Sequence, residues 1–171
     1  WERERNTKSL NGFDIIIIGG GLSGSSTALN LSKKGYSVLI IENGISEEIK
    51  PCAGVMASSI KKFIPLDIDQ AIESKIRNVE FRWKSSDNVV ADLSGESPFW
   101  IIRREKLDKI LLDEALKFGS EILRPAEVEK IKQQNKTWII KCSNKVIYKS
   151  KFLVIADGSQ SQWAVFFKLV P

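Results

Sequence analysis

Two rhythms divide the apolar positions of this chain: short runs of β-branched residues that read as buried strands, and residues three and four apart that read as helices. Phe13 to Ile18 is the first run, apolar enough to be a parallel strand covered on both faces. The loop Gly19-Gly20-Gly21-Leu22-Ser23-Gly24 follows it directly. From Leu22 to Lys34, the residues Leu22, Ser25, Ala28, Leu29 and Ser32 share one helical face; Lys33 and Lys34 suit the negative helix end, and Gly35 stops the helix. Val38 to Ile41 is a second buried run. Strand, glycine turn, helix and strand in this length make a βαβ unit with a right-handed crossover.

The stretch from Ile45 to Ile64 is irregular, with Pro51-Cys52-Ala53-Gly54 in a loop and a short helix expected from Ala57 to Phe63. Val79–Trp83 and Val89–Leu93, joined by a polar turn, predict a hairpin that interrupts the α/β alternation; residues 76–102 are read as the root of a second, substrate-side β layer. Arg104 to Phe118 places Leu107, Leu111, Ala115 and Phe118 on one helical face, and Gly119 ends that helix before a strand at Glu121–Leu123. Val128–Ile131, Thr137–Cys142 and Val146–Tyr148 predict a small antiparallel meander. Phe152–Ile155 is the last strand, ending at Ala156-Asp157-Gly158. The apolar tail Trp163–Pro171 has no evident packing partner, so the chain reads as an incomplete domain spanning residues 1–171.

Composition narrows the chemistry. The 43% hydrophobic and 27% charged content of 171 residues suits a soluble domain with a real core. A formal charge of +5 is spread among acidic residues, which argues against a nucleic-acid partner and leaves a mild preference for an anionic ligand or an anionic membrane surface. Cys52 and Cys142 lie far apart and make no metal-ligand spacing, so no metal is expected and a reducing compartment is. With no histidine in the chain, Ser-His-Asp triads, His-paired thiolates and His-ligated metals drop out, and hard chemistry must come from a bound cofactor. No apolar run reaches the roughly 20 residues that a membrane-spanning helix needs, and the polar start Trp1–Asn6 does not read as a signal peptide. The expected location is cytoplasmic, or peripheral to a membrane.

A glycine loop between strand and helix cradles a pyrophosphate: the first glycine permits the turn, the second admits the phosphate, and the third lets helix and strand approach. Gly19, Gly21 and Gly24 take these positions, and the N–H groups of Leu22, Ser23 and Gly24 open the helix whose dipole favours the anion. Glu42 closes the second strand where a carboxylate accepts from the adenosine ribose hydroxyls. NAD and FAD share this fingerprint. Asn43 and Gly44 stand where a site for a 2′-phosphate would favour arginine, which disfavours NADP at this loop.

Four separated segments together resemble the first part of the geranylgeranyl-reductase-like group of FAD-dependent oxidoreductases, in the hydroxylase-type flavoprotein superfamily. The glycine loop with Glu42 is one, and Pro51-Cys52-Ala53-Gly54-Val55 is similar to the group's Cys-Gly-Gly segment near the flavin, with Ala53 in place of a glycine. Arg104-Glu105-Lys106-Leu107-Asp108 resembles the group's Arg-x-x-Phe-Asp helix. Ala156-Asp157-Gly158-Ser159-Gln160-Ser161 resembles its second flavin motif, where the aspartate binds the ribityl chain and the next backbone approaches the pyrophosphate. The resemblance implies an α/β fold, a Rossmann-type FAD/NAD(P)-binding domain carrying an inserted β-hairpin and a small antiparallel meander. It implies FAD as cofactor, held by Gly19, Gly21, Leu22, Ser23, Gly24, Glu42, Asp157 and Gly158, with Cys52, Ala53, Gly54 and Arg104 near the flavin.

The same resemblance implies reduction of an isoprenoid or other hydrophobic small-molecule substrate by hydride from the flavin, with NAD(P)H as electron donor. The group builds its substrate cavity largely from a segment after the second flavin motif, and this chain stops soon after Gly158, so that region is expected to be absent. Two other readings stay open: a nucleotide-binding remnant that catalyses nothing, and an NAD-dependent enzyme using Glu42 for the ribose. No residue is nominated as acid or base.

Overall fold

The structure, a computed structural model, describes residues 12–44, 52–64, 66–83, 87–92 and 97–169. Residues 45–51, which include Pro51, the turn residues 84–86, Leu93 and the ends of the chain lie outside it. The chain divides into two compact units, Trp1–Glu48 with Leu111–Pro171, and Ile49–Ile110.

The first unit is organised by a six-stranded sheet. Strands β1 (Gly12–Ile18) and β2 (Val38–Ile41) flank helix α1 (Leu22–Lys33) in sequence and pair parallel, Ile15 opposite Val38 and Ile18 opposite Ile41. With β3 to β7 falling in the second unit, the sheet continues with β8 (Glu121–Leu123), β9 (Val128–Gln134), β10 (Thr137–Cys142) and β11 (Ile147–Ile155). The order is β8-β2-β1-β11-β10-β9, with β8, β2, β1 and β11 parallel and the last two strands antiparallel. Isoleucine fills β1 because both its faces are covered. Ile16 and Ile18 join Leu39, Ile41, Val128, Ile131, Ile140 and Cys142 in one buried cluster. Ile15 and Ile17 point the other way, and Ile17 lies under Gly24 of α1. The α1 face that reaches the core is Gly24, Ser25, Ala28, Leu29 and Ser32; Leu22, expected on it, is half-buried at the loop.

Two expectations for this unit change. The strands expected at Val146–Tyr148 and Phe152–Ile155 are not separate elements: one nine-residue strand, β11, runs from Ile147 to Ile155 and leaves Val146 outside it. The polar stretch Lys149-Ser150-Lys151 resembles a turn in sequence, yet Ser150 is buried and its hydroxyl donates to the Phe152 carbonyl at 2.7 Å, while Lys149 and Ser150 pair with both β10 and β1. The strand that ends the meander is therefore the strand that returns to the centre of the parallel sheet. Phe118 is the second: the helix stops at Lys117, and the Phe118 ring lies exposed with the Lys33 ammonium 4.9 Å from its centroid.

In the second unit, β3 (Val55–Ala57), β4 (Ile72–Ile76) and β7 (Phe99–Ile102) form an antiparallel sheet in the order β3-β7-β4, and β5 (Asn78–Trp83) with β6 (Asp87–Asp92) forms the expected hairpin. A single 3₁₀ segment, Ser58–Lys62, stands where a helix from Ala57 was expected, and Ala57 belongs to β3. The interruption of the α/β alternation is thus wider than the hairpin. The β4 sequence Ile-Glu-Ser-Lys-Ile carries too few apolar residues to announce a strand; its pairing with β7 gives it order. Helix α2 (Arg104–Lys117) follows β7, and α3 (Gln162–Phe166) follows β11 with Ser161 as N-cap, its Oγ accepting from Ala164 N at 2.8 Å.

Candidate functional site

The parallel pairing of β1 with β11 brings the two motifs of the first unit to the same edge. Ile18 pairs with Ile155, and the next residue, Ala156, donates its N–H to the Ile18 carbonyl at 2.7 Å. The glycine loop and Asp157-Gly158, some 130 residues apart in sequence, therefore leave the carboxyl ends of neighbouring strands, where open α/β sheets bind ligands.

The loop's glycines answer to different constraints. Gly19 sits at φ +99°, and a Cβ there would lie 2.6 Å from the Ala156 carbonyl carbon and 2.9 Å from Asp157 Cα, closer still to the carbonyl oxygen. Gly24 packs its bare Cα against the Gly19 carbonyl, where a Cβ would overlap the oxygen. Both are fixed by the protein's own backbone. Gly21 is different: it is the α1 N-cap in extended geometry, φ −73° and ψ −168°, open to any residue. It stands at the helix start, where no side chain caps α1 and the first-turn N–H groups have no intrahelical acceptor.

Glu42 ties β2 to this loop. One carboxylate oxygen, Oε2, accepts from Gly20 N–H, and the other, Oε1, accepts from Gly44 N–H at 3.1 Å. Glu42 N–H in turn donates to the Leu123 carbonyl of β8 at 3.0 Å. Ser25, wholly buried in α1, donates its hydroxyl to the Gly20 carbonyl at 2.8 Å. Sequence reading placed Ser25 on the core face without giving it a task; a polar residue on a buried helical face is the signal that was available.

Asp157 supplies the sharpest observation. Its Oδ1 is buried and has no hydrogen-bond partner among the described residues. An unpaired buried carboxylate oxygen costs about 1–3 kcal/mol, which is retained in a folded protein where a ligand donor completes it. The adjacent Gly158, at φ +98°, faces open space on its Cβ side. Cradle, open helix start and orphaned oxygen fit a dinucleotide whose pyrophosphate meets the loop and whose hydroxyl-bearing linker meets the aspartate.

The second unit holds the other predicted residues as a separate cluster. Cys52 and Ala53 are exposed, whereas Gly54 is buried at φ +73°, pressed against β7 so that a Cβ would come 2.8 Å from the Ile102 carbonyl oxygen. Gly54 N–H points at Cys52 Sγ, 3.4 Å away. That hydrogen bond first, and then Arg104, hold the Cys52 thiol below its ordinary range. Arg104, the first residue of α2, donates Nε–H to Asp108 Oδ1 at 2.8 Å, so Cys52, Gly54, Arg104 and Asp108 form one polar group. Cys142 is the opposite case, buried in the first unit's core, where desolvation pushes its thiol up to about 11.

Comparison with known proteins agrees with this geometry. The family described as an FAD binding domain matches residues 12–165. Protein FixC of Salmonella typhi is 30% identical over 159 residues, 87% of this chain and 37% of its own length. The probable electron transfer flavoprotein-quinone oxidoreductase YdiS of Escherichia coli is 25% identical over 170 residues, 93% of this chain and 39% of that protein. Among solved structures, a geranylgeranyl bacteriochlorophyll reductase-like protein from Thermoplasma acidophilum superposes with a TM-score of 0.75 at 20% identity, covering 86% of this chain and 40% of the other. The halogenase PltM, solved with phloroglucinol and FAD, gives 0.74 at 23% identity, covering 91% and 36%. The chain spans about two fifths of the length of these relatives.

Proposed function

Since this chain belongs to the FAD binding domain family, we propose that it is the cofactor-holding N-terminal portion of an FAD-dependent oxidoreductase that reduces an isoprenoid or other hydrophobic substrate by hydride transfer from the flavin. The observation that carries the reading is the buried, unpartnered Oδ1 of Asp157 beside the glycine loop. In this assignment the N–H groups of Gly21, Leu22, Ser23 and Gly24 take the pyrophosphate, Glu42 accepts from the adenosine ribose, Asp157 accepts from the ribityl chain, and the Gly158 backbone approaches the phosphate. Cys52, Ala53, Gly54 and Arg104 are proposed as flavin-side residues on the family resemblance of their two segments alone.

The bound flavin supplies the redox chemistry; the protein contributes binding, orientation and electrostatics. NAD(P)H is the proposed electron donor, and the apolar substrate supports a cytoplasmic protein that works against a membrane surface. Among the described residues no helix is long and apolar enough to cross a membrane. Electron transfer to a quinone is the second reading, favoured by the similarity to the protein named a probable electron transfer flavoprotein-quinone oxidoreductase. The test is the visible spectrum of the purified chain after loading with FAD and removing the excess. Retained flavin bands that vanish in Gly21→Val and Asp157→Ala support the assignment; a folded chain that retains no flavin overturns it.

A further inference from the structure

Gly20 is held by side chains through both of its backbone polar groups. Gly20 N–H is taken by Glu42 Oε2, and Gly20 C=O is taken by the Ser25 hydroxyl at 2.8 Å. In a trans peptide the carbonyl and the following N–H point in opposite directions. Fixing the Gly20 carbonyl onto a fully buried serine therefore turns the Gly21 N–H the opposite way, away from the Ser25 side chain, at the start of a helix that no side chain caps. Ser25 N–H meanwhile donates to the Gly21 carbonyl at 2.8 Å, so both carbonyls flanking that N–H are held by one residue. A glycine pair is the most rotatable peptide in the loop, and without such a hold its N–H would sample both directions.

We propose that Ser25 is a positioning residue for pyrophosphate binding, its hydroxyl orienting the Gly20–Gly21 peptide so that the Gly21 N–H is preset toward the phosphate. The proposal rests on the FAD reading above and deepens it. It separates two buried serines on the same helix face. Ser32 bonds Ser120 at 2.5 Å near the far end of α1 and has no path to the loop peptide. Ser25 acts on the loop and Ser32 on packing alone.

The experiment compares the chain with its Ser25→Ala and Ser32→Ala variants, titrating ADP and adenosine by calorimetry and following the Gly21 amide by NMR. Ser25→Ala weakens ADP by about fivefold to tenfold, the equivalent of one neutral hydrogen bond, and leaves adenosine unchanged, because adenosine has no phosphate to meet the amide. Ser32→Ala lowers the melting temperature and keeps the ratio of ADP to adenosine affinity. The ADP-induced downfield shift of the Gly21 amide shrinks in Ser25→Ala alone. Equal ADP affinity in Ser25→Ala and the unaltered chain, or an equal loss for ADP and adenosine, overturns the positioning role while leaving the FAD reading intact. Failure of the unaltered chain to bind ADP or FAD overturns both.

Discussion

Gly19 and Gly158 form a matched pair that isolates the cost of a close approach from the cost of a backbone angle. Their φ values are +99° and +98°, so alanine at either pays the same left-handed penalty, about 1–2 kcal/mol. Their surroundings differ: nothing lies within 4 Å of a Cβ at Gly158, whereas at Gly19 it meets the Ala156 carbonyl and Asp157 Cα at 2.6 and 2.9 Å. Those are backbone atoms of the two residues that directly follow β11, a strand that β1 holds in register over six residue pairs, so relief means displacing the chain where it leaves the sheet. Overpacking of that kind adds about 1–3 kcal/mol, toward the upper end where the obstacle is backbone. Gly19→Ala should therefore lose about 2 kcal/mol more than Gly158→Ala in urea unfolding of the ligand-free chain followed by far-ultraviolet circular dichroism. For a chain this long that is a melting-temperature gap of about 4–8 °C. Gly119→Ala, at φ +92° in open space, serves as a second strain-only reference. Losses for Gly19→Ala and Gly158→Ala that agree within about 0.5 kcal/mol would refute the reasoning, because the approach of the loop to β11 would then carry no energy.

Three further outcomes follow from named contacts. Asp157→Ala removes an unpaired buried oxygen, so the ligand-free chain should gain about 1 kcal/mol while flavin retention falls; loss of both stability and flavin would mean the carboxylate supports the fold instead. Asp14 accepts from the Lys151 ammonium at 2.8 Å and from Ser37 N–H and Oγ–H at 3.0 and 2.9 Å, and its carboxyl is held down to about 2 from 3.8. A depressed carboxyl stabilises the fold above its ordinary range, and that contribution is lost as pH falls from about 4 to 2. Asp14→Asn should lower stability at pH 7 by about 1–2 kcal/mol and converge with the unaltered chain near pH 2; parallel curves would remove the linkage. Native alkylation with iodoacetamide should label Cys52 and spare buried Cys142, and Arg104→Gln should move the pH midpoint of Cys52 labelling upward, since the guanidinium favours the thiolate. An unmoved midpoint, checked by mass spectrometry, would separate Arg104 from the thiol.

The local sequence determined the βαβ unit, the glycine loop and the acid after β2, because each is written in contiguous residues with a short-range cause: β-branched runs, glycines for a turn and a close approach, helical spacing in α1. It also announced Asp157-Gly158 as a motif. What only the tertiary structure decided was the return of β11 beside β1. The polar residues Lys149 to Lys151 look like a break in isolation and become strand because two neighbours, β10 and β1, both pair with Lys149 and Ser150. From that pairing come the meeting of Asp157 with the glycine loop, the reason Gly19 tolerates no side chain, and the burial of an oxygen with nothing to bind it. The strands β4 and β7 were likewise illegible, since their order comes from cross-strand hydrogen bonds rather than from alternation. Ser25 lies between the two cases: its helical position was plain in the sequence, but its grip on the Gly20 carbonyl depends on how tightly Gly24 lets the helix approach the loop.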